Sequence, residues 1–264
     1  MTRAPREPDL SVVVPCYQEI DAIPPLLDAL TAWRAGRGDV EILFVDDGST
    51  DGTGEALRGA GARLRGARVL RHATNRGVGA AMRTGFEAAR GRVVVCYDAD
   101  RTYPLADIDR LVATLDEGFD VASASPFLAG AGLDGVPLWR RLLTRGAALA
   151  YRIALRRPTE VRTFSCAFRA YRGEVARRVR FRSDGFPAAA EILGGLIRDG
   201  ARVKEVPSVL SERREGRSKM RVLRAALGHL GVLARLLRRP PPGRSAPPGR
   251  VTTTDPDPAV VEPR

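Results

Sequence analysis

Two aspartates stand one residue apart at Asp98-Ala99-Asp100, directly after the apolar run Arg92 to Tyr97. Carboxylates this close repel, and a divalent cation between them relieves the repulsion. Mg²⁺ or Mn²⁺ prefers oxygen ligands and also bridges phosphates. Asp98 and Asp100 are therefore candidate metal ligands; the same pattern also serves as a solvated turn or a helix cap, and its place at a strand end favours the metal. A second acidic stretch, Val45-Asp46-Asp47-Gly48-Ser49-Thr50-Asp51-Gly52-Thr53, can accept hydrogen bonds from polar ligand groups or form an Asx-turn that caps a helix. It begins like a calcium loop, but its twelfth position is Arg58 rather than Glu, which argues against calcium. The stretch Asn75 to Met82 carries Gly77 and Gly79 but has Met82 where a dinucleotide fingerprint needs its third glycine. Lastly, Glu212-Arg213-Arg214-Glu215-Gly216-Arg217-Ser218-Lys219 sets cations around a glycine, which suits a phosphate grip or a solvated charged face.

These residues need elements to hold them. Leu10 to Pro15, Glu41 to Val45, Arg68 to Leu70, Arg92 to Tyr97 and Asp120 to Ala124 read as strands. Helical spacing falls between them at Ala22–Ala35, Val78–Ala89 and Leu105–Glu117, with a further helix after the turn at Asp46–Gly54. The alternation predicts an α/β fold with a mostly parallel sheet and helices on both faces. Ligands of such sheets bind beyond the carboxyl ends of the strands, so the loops at Cys16–Glu19, Asp46–Asp51 and Asp98–Asp100 should converge. Residues 126–136 read as a Gly-rich mobile loop, followed by a helix at Leu138–Ala154 and strands at Phe164–Tyr171 and Val203–Val206. The chain divides into a main domain at 1–218, a basic amphipathic helix at 219–239 and a disordered Pro-, Thr- and Asp-rich tail at 240–264.

Composition narrows the function classes. The net charge of +12 suits an anionic partner, and only Lys204 and Lys219 among the basic residues are lysines. With 6% aromatic residues and no nucleic-acid-binding motif, nucleic acid is not the expected partner. Cys16, Cys96 and Cys166 form no CxxC pair and read as free buried thiols. The N-terminus lacks the apolar core of a signal peptide, and no window of about 18 residues is free of charge. The expectation is a cytoplasmic chain. Between Gly216 and Arg239 there are seven Lys or Arg, many leucines and no acidic residue. This pattern suits an in-plane helix on an anionic membrane surface, peripheral to its cytoplasmic face, or a helix packed on the protein's own core.

Taken in order, VVVPCYQE, VDDGSTDGT, NRGVGAAMRTG, YDAD, FRAYR, the Glu191 region and ERREGRSK resemble a family 2 glycosyltransferase of GT-A fold, of the dolichol-phosphate mannosyltransferase type. The resemblance spans residues 11–220. It implies a nucleotide-sugar donor held at its base and ribose by Pro15, Tyr17, Glu19, Val45 and Asp47. It sets Asp98, Ala99 and Asp100 at the diphosphate and a Mg²⁺ or Mn²⁺ ion, and Arg213 and Lys219 at phosphates of donor or acceptor. The implied acceptor is a polyprenyl phosphate. The chain departs from the family at Thr102, where Gln is usual; at Ala124-Ser125-Pro126, where Gly-x-Arg is frequent; and at Thr163, where Asp is usual. These departures mark a divergent branch and bear on sugar and nucleotide identity more than on fold.

The expected mechanism is direct displacement with inversion, the metal neutralising the leaving diphosphate. A phosphate acceptor is already ionised near pH 7 and needs little help from a base. A soluble or polysaccharide hydroxyl acceptor would need one, with Glu191 or Asp184 as candidates. A sugar nucleotidyltransferase should carry a GxGxR-like loop after the first strand, where this chain has Pro15-Cys16-Tyr17-Gln18-Glu19.

Overall fold

The computed structural model describes residues 8–64, 66–136, 138–213 and 222–238. Elements begin with β1 (Leu10–Cys16), α1 (Ile23–Arg34), β2 (Val40–Asp46), α2 (Thr53–Arg58), α3 (Ala60–Arg63) and β3 (Ala67–Arg71). Next come α4 (Val78–Ala88), β4 (Val93–Cys96), α5 (Asp107–Asp116), β5 (Val121–Ser125), β6 (Gly132–Leu133) and α6 (Leu138–Leu155). The chain continues through β7 (Arg169–Arg172), α7 (Gly173–Arg178), α8 (Ala188–Arg198), β8 (Val203–Pro207), β9 (Val209–Leu210) and α9 (Val222–Arg238). Seven strands form one sheet in the order β3-β2-β1-β4-β7-β5-β8, and β6 pairs with β9 in a second, two-stranded one. Every pairing in the large sheet is parallel except the two made by β7.

The strands are apolar on both sides because both sides are covered. Side chains alternate across a strand: Val12 and Val14 pack into a layer with Ile23, Leu26 and Ile108, from α1 and α5. Val13, Leu43 and Val45 face the other way, onto Met82 and Phe86 of α4 and the buried faces of α6, α8 and α9. Helix α4 lies close against β1, since a Cβ added at Gly85 would stand 2.2 Å from Val13 Cγ1.

Two sequence expectations need correction. Residues 164–168 do not belong to a strand, and β7 starts at Arg169 and runs antiparallel to its neighbours. The carbonyls of Thr163 and Phe164 are turned onto the Arg169 guanidinium instead of a strand ladder. The loop expected at 126–136 contains β6. The C-terminal helix packs on the protein's own core, one of the two readings open from the sequence: Val232 and Leu236 of α9 are buried with α6 and α8. Residues 219–221 and the tail expected at 240–264 lie outside the described residues. No described helix is long and apolar enough to cross a membrane.

The parallel arrangement puts the ends of β1, β2 and β4 at one edge. At the opposite edge Ser11 Oγ donates to Glu41 Oε2 over 2.6 Å, with Arg68 and Arg90 on the same carboxylate. An open cleft of about 980 Å³ there includes Arg37, Arg90 and Arg177. Those three guanidinium groups are spent on Trp33 O and Asp109, on Glu41, and on the carbonyls of Ala89 and Gly91. That cleft is remote from the strand-end carboxylates and is not where the chemistry gathers.

Two glycines test the packing. Gly85→Ala should lower the unfolding free energy by about 1–3 kcal/mol, because Val13 has to give way. Gly146→Ala, at an exposed α6 position with no atom within 4 Å of the new Cβ, should raise it by about 0.5–1 kcal/mol. Urea unfolding of the two variants checks both signs.

Candidate active site

The first two loops are built into each other. Gln18, with φ of 55°, sits in the left-handed region that non-glycine residues seldom adopt. Its side-chain carbonyl accepts from the backbone N–H groups of Thr50 and Asp51, at 3.0 and 3.1 Å, and its own N–H donates to Ser49 Oγ. Glu19 N–H donates to Thr53 Oγ1 at 2.8 Å and Ile20 N–H to Asp51 Oδ2. The stretch from Ser49 to Thr53 thus holds the loop after β1 in place. The Asx-turn reading of these residues is met as well, since Asp51 Oδ1 accepts from Thr53 N–H and Oγ1.

Asp47 is buried at the end of β2, and its carboxylate is fully engaged. Oδ1 lies 2.6 Å from His72 Nδ1 and accepts from Arg76 N–H. Oδ2 accepts from Asn75 Nδ2 and, at 2.7 Å, from Gly77 N–H. Asp47 therefore organises the loop that leads into α4. That loop does not cradle a phosphate: Gly79 N–H donates to Asp184 O at 2.6 Å. A Cβ at Gly77 or Gly79 would stand 2.3 Å from the carbonyl oxygens of Asp184 and Ser183, so the two glycines seat the 183–185 loop.

The acidic pair follows β4, with Asp98 and Asp100 half-buried on either side of buried Ala99. Arg101, at φ 53°, is the second left-handed non-glycine residue of the site. Asp100 Oδ1 accepts from Thr102 N–H. Asp100 Oδ2 takes Nε and Nη2 of Arg213 at 3.0 and 2.9 Å. The same guanidinium reaches Glu19, with Nη1 at 3.1 Å from Oε1 and 3.2 Å from Oε2. Ser211 N–H donates to Thr102 O, so the segment after β9 is laced onto the acidic loop and delivers Arg213 there. Among the described residues the Asp98 carboxylate accepts no hydrogen bond. Burial and the neighbouring Asp100 push its carboxyl up to about 7, against the pull of Arg213.

This donor set fits a hard divalent ion. Asp98 and Asp100 offer neighbouring carboxylate oxygens, of which Asp100 is paired with Arg213 and Asp98 is not. No group of three metal-ligating side chains converges among the described residues. Phosphate oxygens and water would complete the coordination, as is usual for Mg²⁺.

The other sequence candidates divide. Pro15 and Tyr17 are half-buried beside the first loop, whereas Val45 and Ala99 are buried and can meet a ligand mainly through backbone. Glu191, on α8, accepts from Ser183 N–H at 2.8 Å and pairs with Arg235 of α9 at 3.0 Å. Burial opposes its ionisation, but the Ser183 bonds and Arg235 outweigh burial and hold its carboxyl below the usual range. Among the described residues it makes no bond to the acidic pair. Asp184 pairs with Arg83 at 3.0 Å. Lys219 and residues 214–218 lie outside the described residues. Thr163 bonds Ser125 over 3.1 Å, and its N–H donates to Glu205. All three cysteines are free and buried.

Sequence reasoning assigned no role to Arg169. Its side chain is fully buried, donating to Ser123 Oγ, Ala189 O and Phe164 O at 3.0, 2.6 and 2.7 Å. A buried guanidinium needs such partners, and it pins β5, α8 and the 163–164 segment together. FRAYR stood out as a motif, but nothing in its spacing revealed that burial.

The mostly parallel sheet with its covering helices defines an α/β protein, and its strand-end carboxylates stand where ligands of such sheets bind. The chain belongs to glycosyl transferase family 2, whose sequence profile matches residues 11–180. It is 31% identical over 212 residues to a dolichol-phosphate mannosyltransferase of Pyrococcus furiosus, covering 80% of this chain and 59% of that protein. It is 33% identical over 217 residues to a polyprenol monophosphomannose synthase of Mycolicibacterium smegmatis, covering 79% of this chain and 80% of that one. An undecaprenyl-phosphate 4-deoxy-4-formamido-L-arabinose transferase of Pseudomonas fluorescens is 33% identical over 81% of this chain, which spans 61% of its length. The chain thus spans about three fifths of the Pyrococcus and Pseudomonas relatives. The fold matches the crystal structure of glucosyl-3-phosphoglycerate synthase from Mycobacterium tuberculosis bound to Mn²⁺, uridine diphosphate and glucosyl-3-phosphoglycerate. The TM-score is 0.60 at 23% identity, over 87% of this chain and 77% of that one.

The two aspartates should separate in stability. Asp47→Ala strips buried His72 and the part-buried groups of Asn75, Arg76 and Gly77 of their acceptor and should cost about 2 kcal/mol or more. Asp98→Asn removes one charge from a crowded pair and should melt no lower than the wild type. Thermal unfolding without metal distinguishes them.

Proposed function

We propose that this chain transfers a sugar from a nucleotide-sugar to a polyprenyl phosphate, with inversion and with the help of Mg²⁺ or Mn²⁺. It would act as a peripheral protein at the cytoplasmic face of a membrane. The observation that carries this reading is the acidic pair at the end of β4, faced by Arg213 and Glu19. The names of the relatives from Pyrococcus, Mycolicibacterium and Pseudomonas support the lipid-linked acceptor.

Asp98 and Asp100 would hold the ion, which supplies Lewis acidity to the leaving diphosphate. The donor's base and ribose would lie along Pro15, Tyr17, Glu19 and the backbone at Val45, in the pocket that Asp47 keeps in shape. Arg213 is engaged with two carboxylates; once an ion satisfies them, its guanidinium is free to take a phosphate oxygen. Lys219 would add a second cation. A phosphate acceptor attacks as an anion and needs no base. The held state of Glu191 agrees with that: a carboxylate bound by Arg235 and Ser183, below its usual pKa, accepts a proton poorly. Glu191 therefore acts in this reading by fixing the 183–185 loop.

Asp98→Ala and Asp100→Ala should each lower transfer on the order of 10³-fold or more while the protein stays folded. EDTA should abolish turnover and Mn²⁺ should restore it. A thermal-shift panel of GDP-, UDP- and dTDP-sugars with Mn²⁺ identifies the donor. Near-normal turnover of both variants would end the metal-assisted reading.

A further inference from the structure

Among the described residues, one buried guanidinium has no counter-charge beside it. The buried acids Glu19, Glu41, Asp46 and Asp107 each pair with an arginine, and buried Arg198 pairs with Asp199. Arg169 is different. It is fully buried, and its acceptors among the described residues are all neutral: Ser123 Oγ and the carbonyls of Thr163, Phe164 and Ala189. Those acceptors need donors; they do not need a full positive charge. Burying a charge without an opposite one is costly even where its hydrogen bonds are made, so the charge itself needs a reason.

The position of Arg169 in the sheet shows what the charge faces. It stands directly across from Cys96 of β4 on one side and from Ser123 of β5 on the other. Opposed residues of neighbouring strands point to the same face. Asp98 follows Cys96 by two residues, so the guanidinium lies one step further into the sheet than the acidic pair. Its pull registers at Asp98, against the burial and the Asp100 charge that raise that carboxyl. Glu205 of β8 lies in the same field, but its two oxygens are taken by the N–H groups of Arg162 and Thr163. A charge sealed from water is screened little, so a ligand at the acidic loop meets this field.

We propose that Arg169 is a positioning residue for the donor: its permanent charge weakens the hold of the acidic loop on a bare divalent ion and strengthens the hold on that ion together with a nucleoside diphosphate. The proposal rests on the metal and donor reading above. Its basis is the sign of the charge. A fixed cation repels a bare divalent cation. A nucleoside diphosphate near pH 7 carries more negative charge than one divalent ion cancels, so the two together are anionic and are attracted. Arg213 has another part. It binds Glu19 and Asp100 directly and in the reading above gives way to the ion, whereas Arg169 makes no bond to those carboxylates and is held by β5, α8 and the 163–164 segment.

Calorimetric titration of the full chain tests this in two arms: Mn²⁺ alone, and uridine or guanosine diphosphate with saturating Mn²⁺. Neither arm needs turnover. Arg169→Gln removes the charge and keeps part of the hydrogen bonding. It should bind Mn²⁺ alone about threefold tighter or more, and the better nucleoside diphosphate at least about tenfold more weakly. Arg169→Lys keeps the charge, and Ser123→Ala removes one acceptor of the guanidinium. Both should melt lower than the wild type yet stay within about twofold of it in both arms. A purely structural role predicts otherwise: loosening β5, β7 and α8 weakens both arms together in every variant that melts lower. That result overturns the proposal, and so does an Arg169→Gln protein that matches the wild type in both arms. If Arg169→Gln does not fold, the other two variants decide: retention in both arms upholds the proposal, and a clear loss in either overturns it. A wild type that binds neither Mn²⁺ nor nucleoside diphosphate ends the functional reading and this inference with it; every other outcome leaves the functional reading standing.

Discussion

The crowding of negative charge at one edge of the sheet is the constraint on which the site depends. β1 and β4 are adjacent and parallel, so the residues after them emerge side by side. That brings Glu19 and Asp100 within the reach of one guanidinium, with Asp98 beside Asp100. Arg213 bridges Glu19 and Asp100, and Asp98 has no comparable partner among the described residues. Burial first, and then the neighbouring Asp100 and Glu19, make Asp98 hold its proton more tightly than a free carboxyl does, against the pull of Arg213 and Arg169. In the proposed reading a divalent ion would relieve the same crowding of negative charge.

Such a cluster is useful only if the loops around it hold still. Asp47 spends both oxygens on the turn before α4, and Gln18 locks the loop after β1 to the loop after β2. Gln18 and Arg101 adopt left-handed backbone in the two loops that flank the cluster. Backbone of this kind persists where the surroundings over-determine it, and it gathers at functional sites. Preorganised charge needs little rearrangement when a reacting group arrives, which is the source of most electrostatic catalysis.

Much of this was legible in the residues. The β-branched runs located β1, β2 and β4, and with them the strand end that the two aspartates follow. The clustering of cations around Gly216 pointed to Arg213. What stayed hidden depended on pairings distant in the chain. Asp47 reads as a ligand-facing carboxylate because His72, Asn75 and Gly77, its partners, lie beyond the intervening α2, α3 and β3. Gly77 and Gly79 read as a weak nucleotide motif because their neighbour, the 183–185 loop, is about a hundred residues away. β7 starts only at Arg169 because the buried Arg169 side chain draws in the carbonyls of Thr163 and Phe164, and no local pattern encodes that. α6 reads as an ordinary amphipathic helix; periodicity cannot tell which of its apolar faces another element covers.

The central claim is that Arg213 and a divalent ion satisfy the same carboxylates. Calorimetric titration of Mn²⁺ into nucleotide-free wild type and Arg213→Ala tests it most directly. The account predicts that removing the guanidinium tightens Mn²⁺ binding by about tenfold or more, because Asp100 and Glu19 lose their resident cation and an opposing positive charge goes with it. Unchanged or weaker Mn²⁺ binding by Arg213→Ala would contradict it.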